Sequence, residues 1–323
     1  MKSVSSMKID DSLPAAADFV RGHLGALYGC SDAHQIILCP GQLIGLIQIF
    51  HALRLRSILL TDEEYYTRDH FPGMKVSTCA PGDIARTAVR MHPDAVLMSI
   101  VGWKGKELPV RGQFCEIRQH SQPPPVLICD YAHAGAIGFP QFASFGADFI
   151  CGDVNKWVLP NTHMSQLAFV WAEKPLFRKR MNRIFGGYYL AEVGGCAERS
   201  ARWISPHDLR SAAEWLKQTG MTRNMLVANH LHNLERARRI ARSLALTPPT
   251  KSCIIWLAGG ARKRTTLFAK ALAREDGIHV WRTSEGVRIM CASPTHSAVT
   301  AQKATKKSYR VHGSSGGSSM PGR

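Results

Sequence analysis

Two charged residues at the ends of apolar runs carry most of the chemistry in this chain. Asp130 closes the run Val126–Leu127–Ile128–Cys129, and Lys156 follows 26 residues later, just past Ala147–Asp148–Phe149–Ile150–Cys151. A lysine is poorly placed at the end of a buried strand unless it has a covalent or ionic task. An acid and a lysine on neighbouring strand ends can hold one ring between them. The acid keeps a pyridine nitrogen protonated, and the lysine condenses with an aldehyde as a Schiff base. That is the minimal equipment for pyridoxal 5'-phosphate (PLP) as an electron sink. The alternative is a solvated turn acid and a surface lysine, since charges at strand ends are common.

The elements that must position this pair can be read from periodicity. Residues 14–30 repeat with helical spacing, and Ile36–Ile37–Leu38 reads as a short strand. The turn Cys39–Pro40–Gly41–Gln42 leads into an apolar helix over 43–53. Strands are predicted at 57–60, 95–101, 126–130, 147–151 and 167–172, with helices at 83–91 and 108–119 and a short one near 140–145. Alternating strands and helices, with strands apolar on both faces, imply an α/β fold with a mostly parallel sheet covered by helices. Residues 178–203 are loop-like and Gly-rich. A long helical region is predicted from about 205 to 244, started by Ser205–Pro206. A strand at 252–257, a helix at 264–275 and strands at 278–282 and 286–291 complete a small α+β unit. The expected organisation is a short arm (1–13), a large domain (14–204), a long helix with a small domain (205–300) and a basic, disordered tail (301–323).

Composition narrows the class. With 323 residues and 45% hydrophobic content the chain can bury a large core. No run of 18 apolar residues occurs and the first residues lack the apolar stretch of a signal peptide, so a cytoplasmic protein with no membrane partner is expected. Nine cysteines without a CxxC pair read as reduced thiols, with neither a disulfide nor a metal site expected. The formal charge of +17 includes five Lys/Arg and no acid in residues 303–323, which leaves +12 elsewhere. Basic clusters such as Arg178–Lys179–Arg180 and Arg262–Lys263–Arg264 lack interleaved aromatics, so a solvated surface with a few anion-binding arginines is favoured over nucleic-acid binding.

The segments Asp130-Tyr-Ala-His133-Ala, Phe145-Gly-Ala-Asp148-Phe and Asn155-Lys156-Trp157 resemble the class V aminotransferase superfamily of fold-type I PLP-dependent enzymes, and within it kynureninase-like and isopenicillin N epimerase-like proteins. The resemblance runs from about residue 15 to 297. It implies a small C-terminal α+β domain, a homodimer and an amino-acid substrate. It assigns Asp130 to the pyridinium nitrogen, His133 to the phenolic-oxygen side of the ring, and Lys156 to the Schiff base and to proton movement at the substrate α-carbon. Pro40–Gly41–Gln42 before an apolar helix resembles the phosphate cup, where backbone N–H groups meet an anion. Asp69–His70–Phe71–Pro72 resembles the kynureninase-like segment that stacks an aromatic on the ring; Phe71 is the first choice for that role, with His70 or Tyr66 as substitutes. Ser99 is expected to contact the cofactor from the end of its strand, and Asn155 occupies the place before the lysine. Gly286–Val287–Arg288–Ile289 resembles the strand whose arginine grips the substrate carboxylate, a pairing suited to a planar guanidinium.

Three departures accompany the resemblance. The N-terminal arm that relatives fold over the site is expected to be missing or very short. Ile184 stands where a tryptophan is expected, which weakens the match to kynurenine itself. No reactive cysteine is evident in a flexible loop before Arg288; Cys253 lies in an apolar strand, where a thiolate is costly, and Cys196 is left as the one loop candidate. Transamination, epimerisation, elimination and C–C cleavage all stay open, beside a degenerate scaffold and a basic nucleic-acid-binding protein.

Overall fold

The structure, a computed structural model, describes residues 13–30, 32–66, 68–154, 156–159, 167–174, 204–258, 278–282 and 285–292. The helix expected at 264–275, the Gly-rich stretch with Ile184 and Cys196, Asn155, and the terminal segments 1–12 and 301–323 lie outside them.

A seven-stranded sheet forms from β1 (Ile36–Cys39), β2 (Ser57–Thr61), β3 (Lys75–Cys79), β4 (Ala95–Ser99), β5 (Val126–Asp130), β6 (Phe149–Asp153) and β7 (Ala168–Ala172). Its order is β1-β7-β6-β5-β4-β2-β3. Strands β3, β2, β4, β5 and β6 pair in parallel, and β7 runs antiparallel to both its neighbours. All five residues of β4 and of β7 are buried, as apolar sequences covered on both faces must be. The helices α1 (Leu13–Tyr28), α2 (Gln42–Leu53), α3 (Ile84–Met91) and α4 (Val110–His120) cover the sheet. One core joins α1, α3 and α4 to the inner strands; a second gathers α2, Phe71 and the opposite sheet face.

Strand β3 escaped the sequence reading because it is an edge strand. Its Lys-Val-Ser-Thr-Cys sequence is short, polar and only partly buried. Two further boundaries differ. The strand expected at 147–151 runs over 149–153, so Asp153 and not Cys151 ends it. Asp148, just before it, is a tie: Leu127 N–H donates to its Oδ2 (2.9 Å), and Arg118 and Lys174 pair with its Oδ1 at 3.0 and 3.1 Å. The long helix expected over 205–244 is two helices, α5 (Pro206–Thr219) and α6 (Arg223–Ser243). Gly220 ends α5 in the left-handed region (φ 55°), and Thr222 caps α6 by accepting from Met225 N–H (3.3 Å).

A second, antiparallel sheet holds β8 (Ile254–Ala258), β10 (Gly286–Cys291) and β9 (Ile278–Arg282) in that order. It is fastened beside the large sheet through the turn after β5. Cys253 N–H donates to Ala136 O (3.0 Å), and the His230 ring on α6 meets Gly135 O at 3.1 Å. This docking brings β9 and β10 to the carboxyl ends of the parallel strands, where open α/β sheets place their ligand sites.

Candidate active site

Three strand ends and one helix start converge at one end of the large sheet. Ser99 and Asp130 are paired in register as the last residues of β4 and β5. Asp153 ends β6, and Lys156 follows one turn later. The start of α2 brings in Gln42. A cavity of about 450 Å³ lies among them, lined on the sheet side by Gln42, Ser99, Asp130, Ala132, His133 and Lys156. The opposite wall is Tyr65, Tyr66, Val101, Trp103, His279, Trp281, Arg288 and Met290. Thus Asp130, His133, Lys156, Ser99, Gln42 and Arg288, singled out from sequence, meet around one space although they span almost 250 positions.

Asp130 is buried, and its Oδ1 accepts from Ala132 N–H at 2.7 Å. Burial pushes its carboxyl pKa up; the Ala132 bond, a bond from the Gln42 amide and the Lys156 charge pull it back toward the ionised form. Gln42 also donates to Cys151 O (3.3 Å), which fixes the first turn of α2 against β6. Lys156 Nζ pairs with Asp153 Oδ2 at 2.5 Å, so the lysine is held at the cavity by an acid one helical turn behind it. Burial, then the Arg288 and Lys156 charges, push the His133 pKa well below its ordinary value, so this ring is neutral. Its Nδ1 is buried with no hydrogen-bond partner among the described residues.

Arg288 is 1% exposed in the central strand of the small sheet. Its cross-strand neighbour on β9 is Trp281, on the same face by register. The guanidinium lies 4.5 Å from the Trp103 ring centroid and 5.4 Å from that of Trp281. Burial lowers its pKa to about 10, which leaves it cationic at neutral pH. Yet Nε and Nη2 are buried without a hydrogen-bond partner among the described residues. Two unmet donors on a buried cation, opening on a cavity, suit a bidentate carboxylate.

Two expected positions fall elsewhere. Phe71 does not line the cavity. It is 2% exposed in the second core, edge-on to Phe50 at 5.2 Å and 5.9 Å from Tyr66. Of its two named substitutes, Tyr66 lines the cavity and His70 does not. Gly41 caps α2 with extended backbone (φ 165°) and is not among the lining residues. The space where a Cβ would stand is open, so the helix start is accessible to an anion.

Sequence reasoning missed Tyr65, Trp103, His279 and Trp281. A signal was present for two of them: His279 and Trp281 alternate along a predicted strand and so share a face. It also missed Glu64, whose carboxyl accepts from Ser99 N–H (2.6 Å) and Thr61 Oγ1 (3.0 Å) and is bonded to Ser99 Oγ. Among the described residues the buried thiols are poor nucleophiles, since burial raises the pKa of Cys129, Cys151 and Cys253.

The seven-stranded sheet with its single reversed strand, and charged residues at the parallel strand ends, define the fold-type I α/β architecture expected from the sequence. Similar solved structures include an aspartate aminotransferase of subgroup IV from Thermus thermophilus, at TM-score 0.66 and 13% identity, over 95% of this chain and 93% of that one. An alanine–glyoxylate aminotransferase from Nostoc sp. superposes at TM-score 0.62 and 13% identity, over 88% of this chain and 83% of that one. The cysteine desulfurase CsdA from Escherichia coli superposes at TM-score 0.60 and 13% identity, over 93% and 85%. At such identities the likeness is one of fold. No protein-family model and no curated protein matches the sequence.

Proposed function

We propose that this protein is a PLP-dependent enzyme of the class V aminotransferase type that acts at the α-carbon of an amino acid. The observation that carries the proposal is the pairing of a buried carboxylate and a lysine across one cavity with a buried arginine whose Nε and Nη2 have no hydrogen-bond partner among the described residues. The donor set fits the cofactor. A buried anion at Asp130 suits a protonated ring nitrogen, the open start of α2 suits a phosphate, and the amine of Lys156 suits an aldehyde. The aminotransferases and the desulfurase of the same fold support this reading.

Bound PLP supplies an electron sink for charge that develops at the substrate α-carbon. The protein's own part is to hold and aim. Asp130, whose anion the Ala132 N–H, the Gln42 amide and the Lys156 charge favour against burial, would hold the proton on the ring nitrogen. Lys156 supplies the amine and moves the proton at the α-carbon, and Asp153 steadies it in the charged state. Arg288 receives the α-carboxylate, and Trp103 and Trp281 keep its plane fixed, so the substrate is oriented before reaction. The neutral His133 offers a hydrogen bond without adding charge. Phe71, which with Asp130 and His133 carried the likeness to kynureninase-like proteins, is buried in the second core and away from the cavity. The proposal therefore stays at the α-carbon and includes transamination and lyase chemistry. A homodimer belongs to it, because Tyr65 (61% exposed) and Trp281 (38%) stand uncovered at the cavity mouth.

Reduction with borohydride in the presence of PLP is expected to attach the cofactor to Lys156, read by peptide mass, and Lys156→Ala is expected to abolish both attachment and the visible band. Attachment to another lysine in the mutant would overturn the assignment.

A further inference from the structure

Glu64 stands behind the cavity wall. It is the residue before Tyr65 and Tyr66, on the loop that leaves β2, and its carboxyl reaches across to the end of β4. It accepts from Ser99 N–H at 2.6 Å and from the buried Thr61 hydroxyl at 3.0 Å, and it bonds Ser99 Oγ. The same loop is tied a second time, by Trp103 N–H donating to Glu63 O (2.8 Å). Ser99 is the register partner of Asp130, so the second acid lies next to the first. A half-buried carboxyl beside a buried one does not ionise as cheaply as it would alone. Asp130 has the Lys156 charge, the Ala132 N–H and the Gln42 amide to favour its anion. Glu64 has hydroxyls and one backbone N–H, and no cation among the described residues.

We propose that Glu64 is a positioning residue that works as a neutral acid: it latches the loop carrying Tyr65 and Tyr66 to β4 and adds no charge of its own beside Asp130. The functional half of this statement rests on the PLP reading above; the protonation half does not. The balance of forces agrees. Burial, and then the charge of Asp130, push the Glu64 carboxyl up to about 8. The other titratable groups that face it are the Tyr66 phenol and the Cys129 thiol, both raised by burial and therefore neutral, so Asp130 is the charged neighbour.

Unfolding of the cofactor-free protein from pH 5 to 9, compared with Glu64→Gln, tests this directly. An acid whose pKa is raised on folding binds its proton more tightly in the folded state. Its contribution is therefore whole below the unfolded pKa and is lost as pH climbs to the folded one. The unfolding constant of the wild type, relative to Glu64→Gln, is expected to rise about tenfold per pH unit and to level off near pH 8. A ratio that does not change with pH overturns the proposal. Should the variant fail to fold, Ser99→Ala replaces it; loss of a donor to the carboxylate moves the levelling point to higher pH, and an unmoved point overturns the proposal equally. With PLP added, the spectra of wild type and Glu64→Gln should coincide at pH 6 and diverge above pH 8; spectra that coincide throughout remove the role at the cofactor. A wild type that binds no PLP sinks the functional reading while the unfolding comparison still decides the state of Glu64.

Discussion

At the scale of single residues, the site pairs Lys156 with Asp153 and supports Asp130 with Ala132 N–H, but leaves one buried charge incompletely compensated among the described residues. Arg288 makes the point. A buried guanidinium with two unmet donors costs stability unless a ligand supplies the acceptors. The indole rings of Trp103 and Trp281 soften that cost without using its N–H groups. Arg288→Ala is expected to weaken amino-acid binding about 100-fold, the equivalent of one lost charge-assisted pair, while PLP affinity changes less than about threefold. A spectral titration with amino acid and a separate PLP titration measure the two. Equal losses would point to a structural arginine. Arg288→Lys should rescue little, since an ammonium can neither bond in parallel to both carboxylate oxygens nor lie flat between two indoles.

At the scale of elements, the turn after β5 is the joint on which the site depends. It carries Asp130 into His133, accepts from Cys253 of the small sheet, and backs the Lys156–Trp157 turn. Trp157 Nε1–H donates to Ala132 O at 2.8 Å, and its ring lies against Gly135. A Cβ at Gly135 would meet three Trp157 ring atoms at 2.2, 2.4 and 2.4 Å. Gly135→Ala is therefore expected to destabilise the fold by about 2 kcal/mol in urea and to lower borohydride trapping by displacing the residue beside Lys156. Gly112, inside α4, has open space around it. Gly112→Ala should stabilise the same protein by about 0.5–1 kcal/mol and leave trapping unchanged. If both alanines behaved alike, packing at the turn would not be the cause. Most of these elements were legible in sequence, because β4 to β7 are continuous apolar runs and α2 follows a Pro-Gly turn. Edge strand β3 and the α5–α6 break were not, since a polar edge and one left-handed glycine leave faint traces in periodicity.

At the scale of the whole molecule, the uncovered Tyr65 and Trp281 mark the cavity mouth as a contact face. Sedimentation at micromolar concentration is expected to give a dimer, and trapping of PLP to fall as the protein is diluted toward monomer. A monomer that traps PLP fully would remove the dimer from the proposal. No helix among the described residues is long and apolar enough to cross a membrane.

The sequence by itself determined the alternation of strands and helices and the polar residues that end them, since periodicity and strand-end charge are local properties. It singled out Asp130, Lys156 and Arg288 as charges beside apolar runs, with a solvated acid and a surface lysine as the plainer alternative. Only the tertiary structure decided which residues close the cavity. Phe71 and Tyr66 stand five positions apart, and packing sends one to the core and the other to the cavity. Trp103 and Arg288 are 185 positions apart and meet because the small sheet docks on the turn after β5. The Glu64 carboxyl is pushed up by burial and then by Asp130, the register partner of the Ser99 that it bonds. Such contacts depend on how sheets pack and in which register. Those quantities are set by the sum of many weak interactions over the core, and no short stretch of chain records them.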